Sequence, residues 1–111
     1  MIENKSFALI RSEIENNDVV LFIKGTADFP QCGFSSLVVN MFKKLAVPFK
    51  AINVLASDEL RQAIKDFSNW PTIPQIYVKK EFIGGCDIAK EMFESGELKS
   101  LLIEKGLLQR D

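Results

Sequence analysis

Cys32 sits in the stretch PQCGFSS, residues 30–36, and Ser35 stands three positions on, where the common dithiol loop C-x-x-C carries a second thiol. Ser35 has no thiol to close on Cys32, so that sulfur stays open. Phe34, Leu37, Val38, Met41, Phe42 and Leu45 keep the i, i+3, i+4, i+7 register, so a helix begins at or just after Cys32. A cysteine there meets the positive end of the helix macrodipole and free backbone N–H groups, both of which favour thiolate over thiol. Cys32 is thus a candidate nucleophile or metal ligand. The plain alternative is a buried, inert thiol. The glycine- and proline-punctuated loop over residues 25–31, with Gly33 leaving room for a ligand near the backbone, argues against it.

Other residues could complete a site for an anionic ligand. Lys24 precedes the loop, so its ammonium either stabilises the thiolate or a bound carboxylate, or is simply a solvated strand end. In PTIP, residues 71–74, a cis bond before Pro74 would turn the backbone N–H and C=O of Ile73 toward the cysteine as a docking edge for an extended peptide. An ordinary loop breaker is the other reading. GGCD, residues 84–87, opens a helix. Its glycines permit close backbone approach, the helix start suits an anion, and Asp87 could hold an ammonium or be merely an N-cap. Cys86 reads as a small buried hydrophobe or a second thiol. Arg61 and Lys65 are i, i+4 neighbours off the apolar stripe of their helix, either a solvated face or a carboxylate clamp.

The composition narrows the chemistry. There is no histidine, which removes Ser-His and Cys-His nucleophile pairs and Cys/His zinc sites. With 14 basic and 15 acidic residues the net charge is -1, and nucleic acid is not expected as a partner. No apolar run approaches the roughly 20 residues that cross a bilayer. The N-terminal MIENKSFALI lacks both a signal-type apolar core and an Arg-rich amphipathic pattern, so no targeting segment is expected. Two cysteines 54 positions apart form neither a disulfide framework nor a zinc spacing, and a reducing compartment, the cytoplasm, is expected. A mitochondrial matrix or plastid location is the alternative if a transit peptide is removed.

The elements that must position these residues follow from periodicity. Phe7, Ile10 and Ile14 mark a first helix stopped by Asn16-Asn17-Asp18. VVLFI, residues 19–23, reads as a strand covered on both faces. After the Cys32 helix, FKAINV over residues 49–54 reads as a second strand. Ser57 is an N-cap ahead of Asp58 and Glu59, and Leu60, Ala63, Ile64 and Phe67 form the stripe of a third helix. QIYV and EFIGG make a hairpin across Lys79-Lys80, although that pair lacks the Asn or Gly a tight primed turn prefers. A fourth helix ends at Ser95-Gly96 and a fifth follows. The order α-β-α-β-α-β-β-α-α predicts one α/β domain over residues 1–111. It has a thioredoxin-like outline, a four-stranded mixed sheet flanked by helices.

Lys24, CGFS at residues 32–35, WPTIPQ at residues 70–75 and GGCD, in this order and separation, resemble the monothiol, CGFS-type glutaredoxins over nearly the whole chain, roughly residues 3–104. The resemblance implies glutathione binding with its sulfur beside Cys32. Lys24 and Arg61 would meet glutathione carboxylates, Ile73 would pair with its backbone, Cys86 and Asp87 would hold the γ-glutamyl end, and Thr72 is a further candidate. It also implies that Cys32 ligates a [2Fe-2S] cluster. Such a cluster takes about four thiolates, and two chains with two glutathiones supply four. The expected function is therefore an iron-sulfur cluster carrier, a cluster-bridged homodimer serving apo iron-sulfur proteins, with a BolA-like partner. The alternative is a glutathione-dependent oxidoreductase working through Cys32 alone.

Overall fold

Five consecutive apolar residues form the central strand β1, Val19–Ile23, and all five are buried. In the computed structural model, which describes residues 4–110, β1 lies between two partners. Residues 1–3 and 111 of the expected domain lie outside the described residues. Strand β2, Lys50–Asn53, runs parallel to β1 with Ile23 opposite Asn53. Strand β3, Gln75–Val78, runs antiparallel on the other side, and β4, Glu81–Gly84, completes the order β2-β1-β3-β4. Helices α1 (Lys5–Asn16), α2 (Gly33–Lys44), α3 (Asp58–Ser68), α4 (Cys86–Ser95) and α5 (Glu97–Glu104) cover the two faces. This is the expected thioredoxin-like arrangement.

Side chains alternate across a strand, so β1 feeds two cores. Val19, Leu21 and Ile23 pack with Val38, Met41 and Phe42 of α2, Ala89 of α4, and Leu98 and Leu102 of α5. Val20 and Phe22 pack with Ile10 and Ile14 of α1 and with Leu60, Ala63 and Ile64 of α3. Phe22 is fully buried, and truncating it to Ala would cost about 3–5 kcal/mol through lost contact and the cavity left behind. The sheet is therefore a rigid base for the loops at the end where Lys24 leaves β1.

Caps fix the helix starts. The Ser57 hydroxyl accepts the Leu60 N–H at 3.2 Å, as its position ahead of α3 predicts, and Asn4 accepts the Ser6 N–H at 2.7 Å to start α1. The second strand is shorter than FKAINV suggests. It ends at Asn53, whose side chain turns the chain into a 3-10 turn over Val54–Ala56 by accepting the Leu55 N–H. The hairpin closes through Lys79 and Lys80, with φ of 49° and 71°. Neither residue favours that conformation, and the turn is braced from outside. The Lys79 N–H donates to the Asp18 carbonyl at 2.7 Å, and its ammonium lies 3.0 Å from the Asp18 carboxylate.

Candidate functional site

Strand β1 delivers Lys24 to the edge of the sheet, where the chain turns at Gly25. With φ at +95°, Gly25 has backbone on the side a Cβ would occupy: that atom would lie 2.6 Å from the Phe29 carbonyl oxygen and 2.7 Å from the Gln31 nitrogen. The turn is possible only because both atoms can approach a bare Cα. The Gln31 N–H closes the loop by donating to the Lys24 carbonyl at 2.8 Å, and Cys32 follows as the N-cap of α2.

The Cys32 thiol is held well prepared to ionise. The backbone N–H of Ser35 does most to lower its pKa, followed by the N–H of Phe34, the charge of Lys24 and the Ser35 hydroxyl, while partial burial pulls the other way. Ser35 itself is fully buried, and its hydroxyl oxygen accepts the Lys24 N–H at 3.0 Å. The serine in place of a second thiol is thus bonded to both Lys24 and Cys32.

Opposite Cys32, the segment between α3 and β3 forms a wall of Trp70, Pro71, Thr72, Ile73 and Pro74. The Ile73–Pro74 peptide bond is cis. Gln75, fully buried beneath, steadies the wall by donating its amide N–H groups to the carbonyls of Trp70 at 3.0 Å and Thr72 at 3.2 Å. The floor is the start of α4. Gly85 is its N-cap, so Asp87 lies in the first turn and is not the cap itself. A Cβ on Gly85 would meet the Trp70 indole nitrogen at 3.0 Å and the Pro74 carbonyl oxygen at 3.3 Å. Cys86 behaves unlike Cys32: burial first, then the Asp87 carboxylate, push its thiol pKa up.

Lys24, Cys32, Thr72, Ile73, Cys86 and Asp87 all line one groove of about 460 Å³. Arg61 does not line it; its guanidinium lies 3.4 Å from the exposed Asp58 carboxylate one turn back on α3. Lys65, the other half of that i, i+4 pair, lines the groove instead. Phe34, Trp70 and Ile88 also line it, and Phe34 is 61% exposed. In sequence these three pass as helix and loop hydrophobics, so only the topology identifies them. The groove combines one thiol poised to ionise, two ammonium groups and a helix N-terminus. That set can hold an anionic peptide with its sulfur at Cys32. Among the described residues no three Cys or carboxylate side chains converge to hold a metal ion. A metal ion at Cys32 therefore finds no complete set of three such ligands among the described residues.

The glutaredoxin family model matches residues 19–83. A probable monothiol glutaredoxin 2 of Rickettsia conorii is 55% identical over 102 residues, covering 92% of this chain and 95% of that protein. Among solved structures, a monomeric truncated mutant of Trypanosoma brucei 1-C-Grx1 superposes with a TM-score of 0.86 at 39% identity, over 98% of this chain and 99% of that one. A buckwheat glutaredoxin in complex with glutathione shares the fold, with a TM-score of 0.80 at 24% identity over 93% of this chain and 92% of that one.

Proposed function

The chain belongs to the glutaredoxin family, among its monothiol members, and from that premise we propose that it carries a [2Fe-2S] cluster bound by Cys32 and glutathione. The observation that carries the proposal is the contrast around Cys32. Its thiol is activated by Ser35 and Lys24, while the position of a resolving thiol is filled by a buried hydroxyl already bonded to Lys24. Such a sulfur is a lasting ligand or nucleophile and cannot be quenched by an internal neighbour three residues on.

Glutathione fits the groove with its sulfur beside Cys32. Lys24 and Lys65 face its glycyl carboxylate, with Arg61 adding charge from one turn away. Thr72 and Ile73 flank its backbone, and the Cys86–Asp87 turn receives the γ-glutamyl end, where the Asp87 carboxylate suits the ammonium. A [2Fe-2S] cluster takes about four thiolates. One Cys32 and one glutathione from each of two chains supply them. The cluster is cargo held by a homodimer, and it passes to apo iron-sulfur proteins, with a BolA-like protein as a further partner. Free thiols at Cys32 and Cys86 suit a reducing compartment such as the cytoplasm.

A second reading has its own support in the lowered Cys32 pKa. The thiolate attacks the glutathionyl sulfur of a mixed disulfide, the target thiolate leaves, and external glutathione then releases glutathione disulfide and restores Cys32.

The deciding experiment is anaerobic incubation with iron, sulfide and glutathione, followed by visible absorption and gel filtration. The expected result is a coloured dimer that needs glutathione and is absent for Cys32→Ala. A Cys32→Ala protein that still acquires the cluster overturns the carrier model. Cys86→Ser is expected to keep the cluster. Brisk turnover of a small glutathione mixed disulfide without cluster assembly favours the oxidoreductase.

A further inference from the structure

Asn53 lies outside the groove, at the end of β2, yet one atom of its side chain holds both chain segments that bring ammonium groups to it. Its Oδ1 accepts the Gly25 N–H at 2.9 Å and the Leu55 N–H at 2.9 Å. Gly25 directly follows Lys24. Leu55 sits in the 3-10 turn that leads into α3, which carries Lys65. Both lysines line the groove. The β1–β2 ladder ends at the Ile23–Asn53 pair, so the carboxamide extends the link between the two strands just where the functional loop departs. A carbonyl oxygen has two lone pairs, and with two N–H donors this one is fully used. It fixes the two donors relative to each other, not merely each to itself.

We propose that Asn53 is a positioning residue: by holding Gly25 and Leu55 on one oxygen, it sets the separation of the Lys24 and Lys65 ammonium groups and so the groove's grip on the glycyl carboxylate of its ligand. The inference rests on the glutathione reading above. Asn53 touches no ligand atom in this role; it acts through the two lysines. A residue that only stabilised the fold would affect every ligand alike, whereas this one discriminates by carboxylate.

Two probes separate these cases: S-methylglutathione, and the same molecule with its glycyl carboxylate capped as an ethyl ester. Binding to the cluster-free protein is measured by calorimetry. Asn53→Ser keeps a local oxygen for the Leu55 N–H but is too short to span to Gly25, so it severs the link with little damage to the turn. It is expected to weaken S-methylglutathione about tenfold, the size of one lost charge-assisted contact, and to leave ester binding within about twofold. Asn53→Asp retains both acceptor bonds and is expected to bind S-methylglutathione within about threefold of the parent protein. Urea midpoints establish that each variant is folded during the titration. Equal weakening of both probes, or no weakening by Asn53→Ser, overturns the inference while the glutathione reading stands. A parent protein that binds neither probe overturns both.

Discussion

The backbone N–H of Lys24 donates to the Ser35 hydroxyl across 3.0 Å, joining the end of β1 to the first turn of α2 over eleven residues of chain. Ser35 also faces the Cys32 sulfur through its N–H and hydroxyl. Removing the hydroxyl strips one thiolate donor and leaves the half-buried Lys24 N–H without its partner. Ser35→Ala is therefore expected to cost about 1–2 kcal/mol in urea unfolding and to raise the Cys32 pKa. An unchanged alkylation profile would show that the hydroxyl adds nothing at the sulfur.

Cys32 and Cys86 share a groove but are shifted in opposite directions, Cys32 below and Cys86 above the usual 9.0. Limiting iodoacetamide at pH 7 is expected to label Cys32 first, as read by peptide mass mapping. The Cys32 rate levels off at a pH below 9.0, and that of Cys86 continues to climb beyond it. Because folding lowers the Cys32 pKa, its contribution to stability is present above the unfolded value and is lost as pH falls through the folded one. Preferential labelling of Cys86 would contradict the assigned environments.

Gly25→Ala tests whether the loop depends on bare backbone. The added Cβ meets the Phe29 carbonyl oxygen at 2.6 Å and is forced to a φ of +95°. Left-handed backbone costs roughly 1–2 kcal/mol by itself, and the overlap is with main chain that cannot swing aside. A loss of at least about 2 kcal/mol in urea is expected, together with weaker glutathione binding because Lys24 adjoins the turn. Parent-like stability would mean that the loop has a second conformation.

Much of this architecture is legible in the sequence because local signals agree with the fold. VVLFI reads as a doubly covered strand, Ser57 as a cap, and the α2 periodicity places Cys32 at a helix start, all as the structure has them. Tertiary relations are what escape. Nothing local distinguishes Arg61 from Lys65; the register of α3 against the sheet puts Lys65 in the groove and leaves Arg61 beside Asp58. Asn53 reads as one residue within the FKAINV strand, and its bond to Gly25 spans 28 positions.

The Lys79-Lys80 turn is a place where local preference yields to the hairpin. Both residues hold positive φ, at 49° and 71°, which glycine or asparagine would adopt at less cost. Lys80 makes none of the bonds that brace Lys79 to Asp18. Lys80→Gly is expected to stabilise the protein by about 1 kcal/mol, seen as a higher urea midpoint with an unchanged slope. A lower midpoint would show that the entropy glycine adds to the unfolded chain outweighs the relief of backbone strain.

Tyr77 sets an alkaline limit on the fold. Its ring packs against Phe22 at 5.8 Å and Phe82 at 5.3 Å between centroids, and burial pushes its phenol from 10.0 up to about 12. A raised folded pKa keeps the neutral phenol in the native state while the unfolded chain ionises first. Its contribution is thus complete below pH 10.0 and is lost as pH rises toward about 12. Urea midpoints are expected to fall over that window, by an amount on the order of 2 kcal/mol for this group. Tyr77→Phe removes the titrating hydroxyl but keeps the ring contacts, so its midpoint should fall less steeply over the same window. Identical slopes for the two proteins would show that the Tyr77 hydroxyl does not drive the alkaline transition.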